Sequence, residues 1–172
     1  MIDRSAEPAA EIVRPLADAP DYDLVELFFF AYRDFVGAPD LILAEYGLGR
    51  AHHRVLHFVA RRPGLTVADL LDVLKITKQS LNRVLKGLIE AGFIVQRTGR
   101  TDRRQRLLAP TDAGRQLALC LVRLQSARIG RALDGCDDGA DREVVGRFLL
   151  GMVDPSGRAA ATGTLGARRS AP

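Results

Sequence analysis

The chain of 172 residues predicts a mainly α-helical fold that carries one small β-hairpin. Three observations predict it. From Thr77 onward, apolar side chains fall at Leu81, Val84, Leu85, Leu88 and Ile89, a single stripe at helical spacing. Residues Phe93 to Thr98 alternate as a strand does, and Arg106 to Ala109 can return beside them. The stretch Asp21 to Val36 is apolar on nearly every face, which marks a helix that neighbours must enclose.

Taken in order, residues 1–20 hold Pro8, Pro15 and Pro20 among small and charged residues and read as a flexible tail. Residues 21–45 form the first helix region. Seven of the ten aromatic residues lie between Tyr22 and Tyr46, too greasy a segment for one small domain to cover, so a second copy of the chain is the economical partner. Residues 46–110 contain a helix of about Arg50 to Arg62, a short helix pattern after Leu65, a turn, the helix opened by Thr77, and the hairpin. Thr77 suits an N-cap, and Ile76 stands where it can staple onto Leu81. Gly92 stops that helix. Residues 111–154 supply a long helix, Thr111 to Leu133, and a stripe of Val144, Val145, Phe148, Leu149 and Met152. These are dimerisation helices that interlock with the first. Residues 155–172 are rich in Gly, Ala, Ser and Arg, show no apolar period and read as a second flexible tail.

Two helices joined by a turn and followed by a hairpin make a winged helix-turn-helix. The face of the second helix opposite its apolar stripe carries Thr77, Lys78, Gln79, Ser80, Asn82, Arg83 and Lys86. Cations there suit phosphates, and the small polar groups near the helix start suit base edges in a major groove. The hairpin tip, residues 99–105, lies within a ten-residue span holding Arg97, Arg100, Arg103, Arg104 and Arg106 against the single acid Asp102. So basic a tip fits a narrow groove of strong negative potential. Residues 75–106 contain nine Lys or Arg and two acids, a local net of +7 in a chain of net +4, so the remainder carries −3. Positive charge is focused on the reading head, which gives salt-dependent attraction to double-stranded DNA. A charge run is by itself only a solvated face; its coupling to a capped polar helix and a hairpin selects DNA. A winged helix used for protein or RNA contacts is the alternative, and it needs no such concentration of cations.

Other classes find no support. Gly47-Leu48-Gly49 lacks the third glycine and the Lys-Ser or Lys-Thr of a phosphate loop, and no nucleophile elbow or zinc-binding His-Glu pair occurs, so no enzyme is predicted and no cofactor is required. No apolar run reaches the roughly 18 to 20 residues that cross a membrane. The N-terminus lacks a secretory pattern, and Cys120 and Cys136 form no paired framework, so a cytoplasmic protein is expected.

The run from Leu65 to Gly114 resembles the winged helix-turn-helix of the MarR family of bacterial transcriptional regulators. Asp102-Arg103-Arg104 is similar to the wing signature of that family, and Thr111-Asp112-Ala113-Gly114 to the start of its fifth helix. The resemblance covers about residues 22 to 153. It implies a homodimer on a pseudo-palindromic operator, with Asp102 holding Arg104 and Arg104 entering the minor groove. Two positions depart from the pattern: Gly49 stands where Thr or Ser is usual, and Pro110 where Leu is common. Residues Tyr46 to Leu56 are similar to the PetP-type branch of the family, which implies respiratory or photosynthetic gene control.

The resemblance also implies an effector crevice between the dimer helices and the reading head, with Tyr32, Arg50, His53 and His57 as its candidates. The effector could be a small molecule, a metal or haem. His53 and His57 are four apart and share a helix face, a spacing that either holds a transition metal or makes polar contacts between helices; no third ligand stands near them in the sequence. His52 points elsewhere. Cys120, amid Leu119, Leu121 and Val122, is expected to be buried and unreactive, and Cys136 sits in an acidic turn that disfavours thiolate.

Overall fold

The computed structural model describes residues 21–99, 105–135 and 141–166. The expected N-terminal tail, the tip residues Arg100, Asp102, Arg103 and Arg104, Cys136, and residues 167–172 lie outside the described residues. The elements run α1 (Tyr22–Ala44), α2 (Arg50–Arg61), β1 (Leu65–Thr66), α3 (Val67–Leu74), α4 (Lys78–Glu90), β2 (Ile94–Thr98), β3 (Arg106–Pro110), α5 (Asp112–Asp134), α6 (Asp141–Gly151) and α7 (Pro155–Gly166). The mainly helical class with a β wing holds.

Backbone chemistry explains most boundaries. Helix α3 opens with a reciprocal cap: Asp69 N–H donates to Thr66 Oγ1 at 3.1 Å, and Thr66 N–H donates to Asp69 Oδ2 at 2.8 Å. It ends at Lys75, in the left-handed region at φ +51°, which turns the chain sharply into α4. Thr77 caps α4 as its sequence predicts, accepting from Ser80 N–H at 3.2 Å, and Ile76 packs on the core. Gly92, at φ +75°, follows the end of α4 and lets the chain reverse into β2.

A third strand corrects the expected two-stranded hairpin. Leu65 and Thr66 pair antiparallel with Leu108 and Leu107, giving sheet order β1-β3-β2. Strands β2 and β3 pair from Ile94↔Pro110 to Thr98↔Arg106. The core of this region gathers Leu48, Val55, Leu56, Val59, Leu70, Leu81, Leu88, Ile94 and Leu108, with Leu117 and Leu121 from α5. Ile89, counted in the apolar stripe of α4, is exposed because it lies at the edge of that face.

The Thr111-to-Gly114 run has a mechanical reason. Thr111 Oγ1 accepts from Gly114 N–H at 3.0 Å and donates to the Gly92 carbonyl at 2.7 Å. A side chain at position 114 would put its Cβ 2.0 Å from the Phe93 carbonyl oxygen, so only glycine lets β2 start against α5.

Three expectations are corrected. Helix α1 continues past Val36 to Ala44 through Pro39, whose ring is buried and whose missing N–H leaves one helical bond unmade. Its N-terminal part keeps apolar side chains exposed in the single chain, including Leu27 at 61% and Phe29 at 67%, as a segment too greasy for one domain to cover would. Residues 155–166, expected within a tail, form α7, with Pro155 at the first helical position, where its fixed φ is favourable. Cys120 is exposed, because the face α5 buries carries Leu117, Ala118 and Leu121 and the cysteine points away from it.

Candidate nucleic-acid interface

Helix α4 buries Leu81, Val84, Leu85 and Leu88 and turns Lys78, Gln79, Asn82, Arg83 and Lys86 outward. Lys86 makes an exposed pair with Glu90 at 3.7 Å, of a kind that contributes little. Among the described residues, Lys78, Gln79, Asn82 and Arg83 make no hydrogen bond or ion pair, so their polar groups remain available to a partner. Thr77 and Ser80 are engaged in the cap, where the Thr77 hydroxyl also donates to Ser80 Oγ at 2.9 Å. Beside the helix stands the wing. Arg97 is exposed on β2, and Arg106 Nη1 donates to Thr98 Oγ1 at 3.0 Å across the strand pair. Gly99 N–H donates to the Gln105 carbonyl at 3.0 Å and closes the base of the tip.

The effector candidates do not stand alike. Tyr32 is exposed on α1. Arg50 Nε donates to Asp40 Oδ2 at 2.6 Å, so it is committed to an ion pair. His53 is buried, and burial holds its imidazole below the ordinary histidine value, with the neighbouring His57 lowering it further and Asp40 opposing. His57, half-buried, is lowered by burial and then by Arg61 and Arg62. Among the described residues no group of three metal-ligating side chains comes together, so the His53/His57 pair lacks a third ligand there.

Two residues escaped the sequence reading. Arg54 lines a cavity of about 640 Å³ with His57, Phe58, Leu74, Leu149 and Val153, and its guanidinium reaches the Leu74 carbonyl at 3.5 Å. His52 caps α2: its Nδ1 accepts from Gly49 N–H at 3.1 Å. The signal for His52 was present, since it stands three residues after the N-cap, where a capping box places its returning side chain.

A capped helix with a free polar face, set beside a basic strand pair on a helical core, is the arrangement of a winged helix-turn-helix regulator. The MarR family model matches residues 46–105. Over 153 residues the chain is 43% identical to the HTH-type transcriptional regulator PetP of Rhodobacter capsulatus, covering 88% of this chain and 90% of PetP. The chain belongs to the MarR family of transcriptional regulators and is not an enzyme. Solved structures share the fold at lower identity. A MarR protein from Peptoclostridium difficile is 21% identical with a TM-score of 0.66, over 81% of this chain and 90% of that one. A MarR-family transcriptional regulator from Listeria monocytogenes, complexed with 26mer DNA, is 21% identical with a TM-score of 0.64, over 87% of this chain and 95% of that one.

Proposed function

We propose that the protein reads a pseudo-palindromic duplex as a homodimer, α4 lying in the major groove and the wing reaching the adjacent minor groove. The observation that carries this reading is the uncommitted polar face of α4: Lys78, Gln79, Asn82 and Arg83 are exposed on a helix whose opposite face is locked into the core. Two such helices, related by a two-fold axis, meet half-sites about one helical turn apart. The oily surfaces of α1 (Leu27, Phe29) and α6 (Val144, Phe148) support the pairing of two copies, since apolar patches of this kind mark association. The cavity beside Arg54 supports a small effector with an apolar body and polar groups, because Phe58, Val73, Leu74 and Leu149 line it together with Arg54, Lys75 and Asp154. No helix among the described residues is long and apolar enough to cross a membrane, and a cytoplasmic regulator fits that.

The test is binding to a genomic duplex selected by the wild-type protein, set against a shuffled duplex of equal length. Gln79→Ala and Asn82→Ala should lose about 1 to 3 kcal/mol on the selected duplex and little on the shuffled one. Lys78→Ala and Arg83→Ala should weaken both and each reduce the salt slope by about one unit. Equal losses on both duplexes for all four variants, with unchanged slopes, would remove α4 from DNA readout.

A further inference from the structure

The N-cap of α2 is Gly49, which has no side chain to offer the first turn. His52 supplies the missing contact in the opposite direction, its Nδ1 accepting the Gly49 N–H at 3.1 Å. That bond fixes the ring, because Nδ1 must keep a lone pair to accept. The other edge of the same ring meets α4. At Gly87, the residue after Lys86, an added Cβ would lie 2.9 Å from His52 Nε2 and 3.4 Å from Cδ2. The imidazole thus occupies the space a side chain at 87 would need. Glycine within a helix is unfavourable by propensity, so the close approach of the ring gives position 87 its reason. Arg83 lies one turn before Gly87 on the same face of α4, and α4 is a single uninterrupted helix of 13 residues.

We propose that His52 is a positioning residue for DNA readout: held by the Gly49 N–H, its ring seats α4 at Gly87 and sets where Gln79, Asn82 and Arg83 stand. The reading residues touch DNA; His52 acts through the helix that carries them. A side chain forced in at 87 must push the ring or shift the rod, and a shift of about an ångström in a supporting group is enough to spoil an ordered site. This inference rests on the reading of α4 as the DNA-contacting helix.

The full-length protein is titrated against the selected genomic duplex and the shuffled duplex, with thermal unfolding followed on every variant. Gly87→Ala should lose about ten-fold or more on the selected duplex and less than about two-fold on the shuffled one, since register suffers while charge does not. His52→Ala vacates the space, so adding Gly87→Ala to it should cost less than about two-fold further, a non-additivity expected of groups in contact. Alanine favours the helix, so the double variant should also unfold no lower than His52→Ala alone. Additive losses in the double variant, or equal losses of Gly87→Ala on both duplexes, would overturn the seating role while leaving DNA binding intact. A wild-type protein that selects no duplex would overturn the underlying reading, and the seating role with it.

Discussion

The first turns of α1 and the winged helix treat apolar side chains in opposite ways. Residues 22–35 are the greasier stretch, yet Leu27 and Phe29 are mostly exposed; the winged helix is more polar, yet Leu56, Leu70 and Leu108 are wholly enclosed. Hydrophobicity therefore does not decide burial here. What decides it is whether the chain supplies faces to pack against. α2, α3, α4 and the sheet each present one apolar face and close on one another, whereas the first turns of α1 present apolar groups on every side. The head closes on its own apolar faces, and the first turns of α1 keep theirs exposed, which is why the proposed pairing is assigned to α1.

Truncation should separate the two regions most sharply. Leu56→Ala should cost about 2 to 5 kcal/mol of unfolding free energy, because a fully enclosed leucine leaves a cavity behind. Denaturant titration reads this directly, and a loss below half a kcal/mol would show that the head is not close-packed. Phe29→Asp should leave the head folded and raise the dimer dissociation constant by about ten-fold or more, measured by sedimentation. An unchanged constant would take α1 out of the association.

Legibility followed the same division. Helix α4 could be read because its signals are local: Thr77 caps it, and Leu81, Val84, Leu85 and Leu88 recur at its period. Strand β1 could not, since two residues define it and its partners, Leu107 and Leu108, lie more than forty positions on. Helix α7 was obscured by Gly157, Thr162 and Gly163, poor helix formers that mimic a tail. Cys120 was misjudged for a geometric reason: Leu119, Leu121 and Val122 adjoin it in sequence, but consecutive residues on a helix do not share a face. The polar face of α4 was legible residue by residue. The role of His52 needed Gly87, thirty-five positions away, to be seen beside it.

A smaller effect probes the start of α4. Thr77→Ala removes the acceptor for Ser80 N–H and should lower stability by about 1 kcal/mol, visible as a lower melting temperature. No change would mean that water replaces the cap without cost.

The smallest expected effect is a dependence on pH. Burial holds His52, His53 and His57 below their ordinary value of 6.5, so folding favours the neutral rings. Stability from this source is complete above the unfolded value and is lost as pH falls through it toward the folded values. Denaturant midpoints should therefore be lower at about pH 5.5 than at about pH 7.5, and His57→Gln should narrow the gap. An equal or higher midpoint at the lower pH would contradict the assignment of neutral, desolvated rings.

The most direct test of the proposed pairing of two chains through α1 is the mass of the protein on its selected duplex, taken by light scattering. Two chains per duplex, reduced to one by Phe29→Asp with the head still folded, is the predicted result. A single wild-type chain on a duplex, α1 bare and the complex stable, would contradict it.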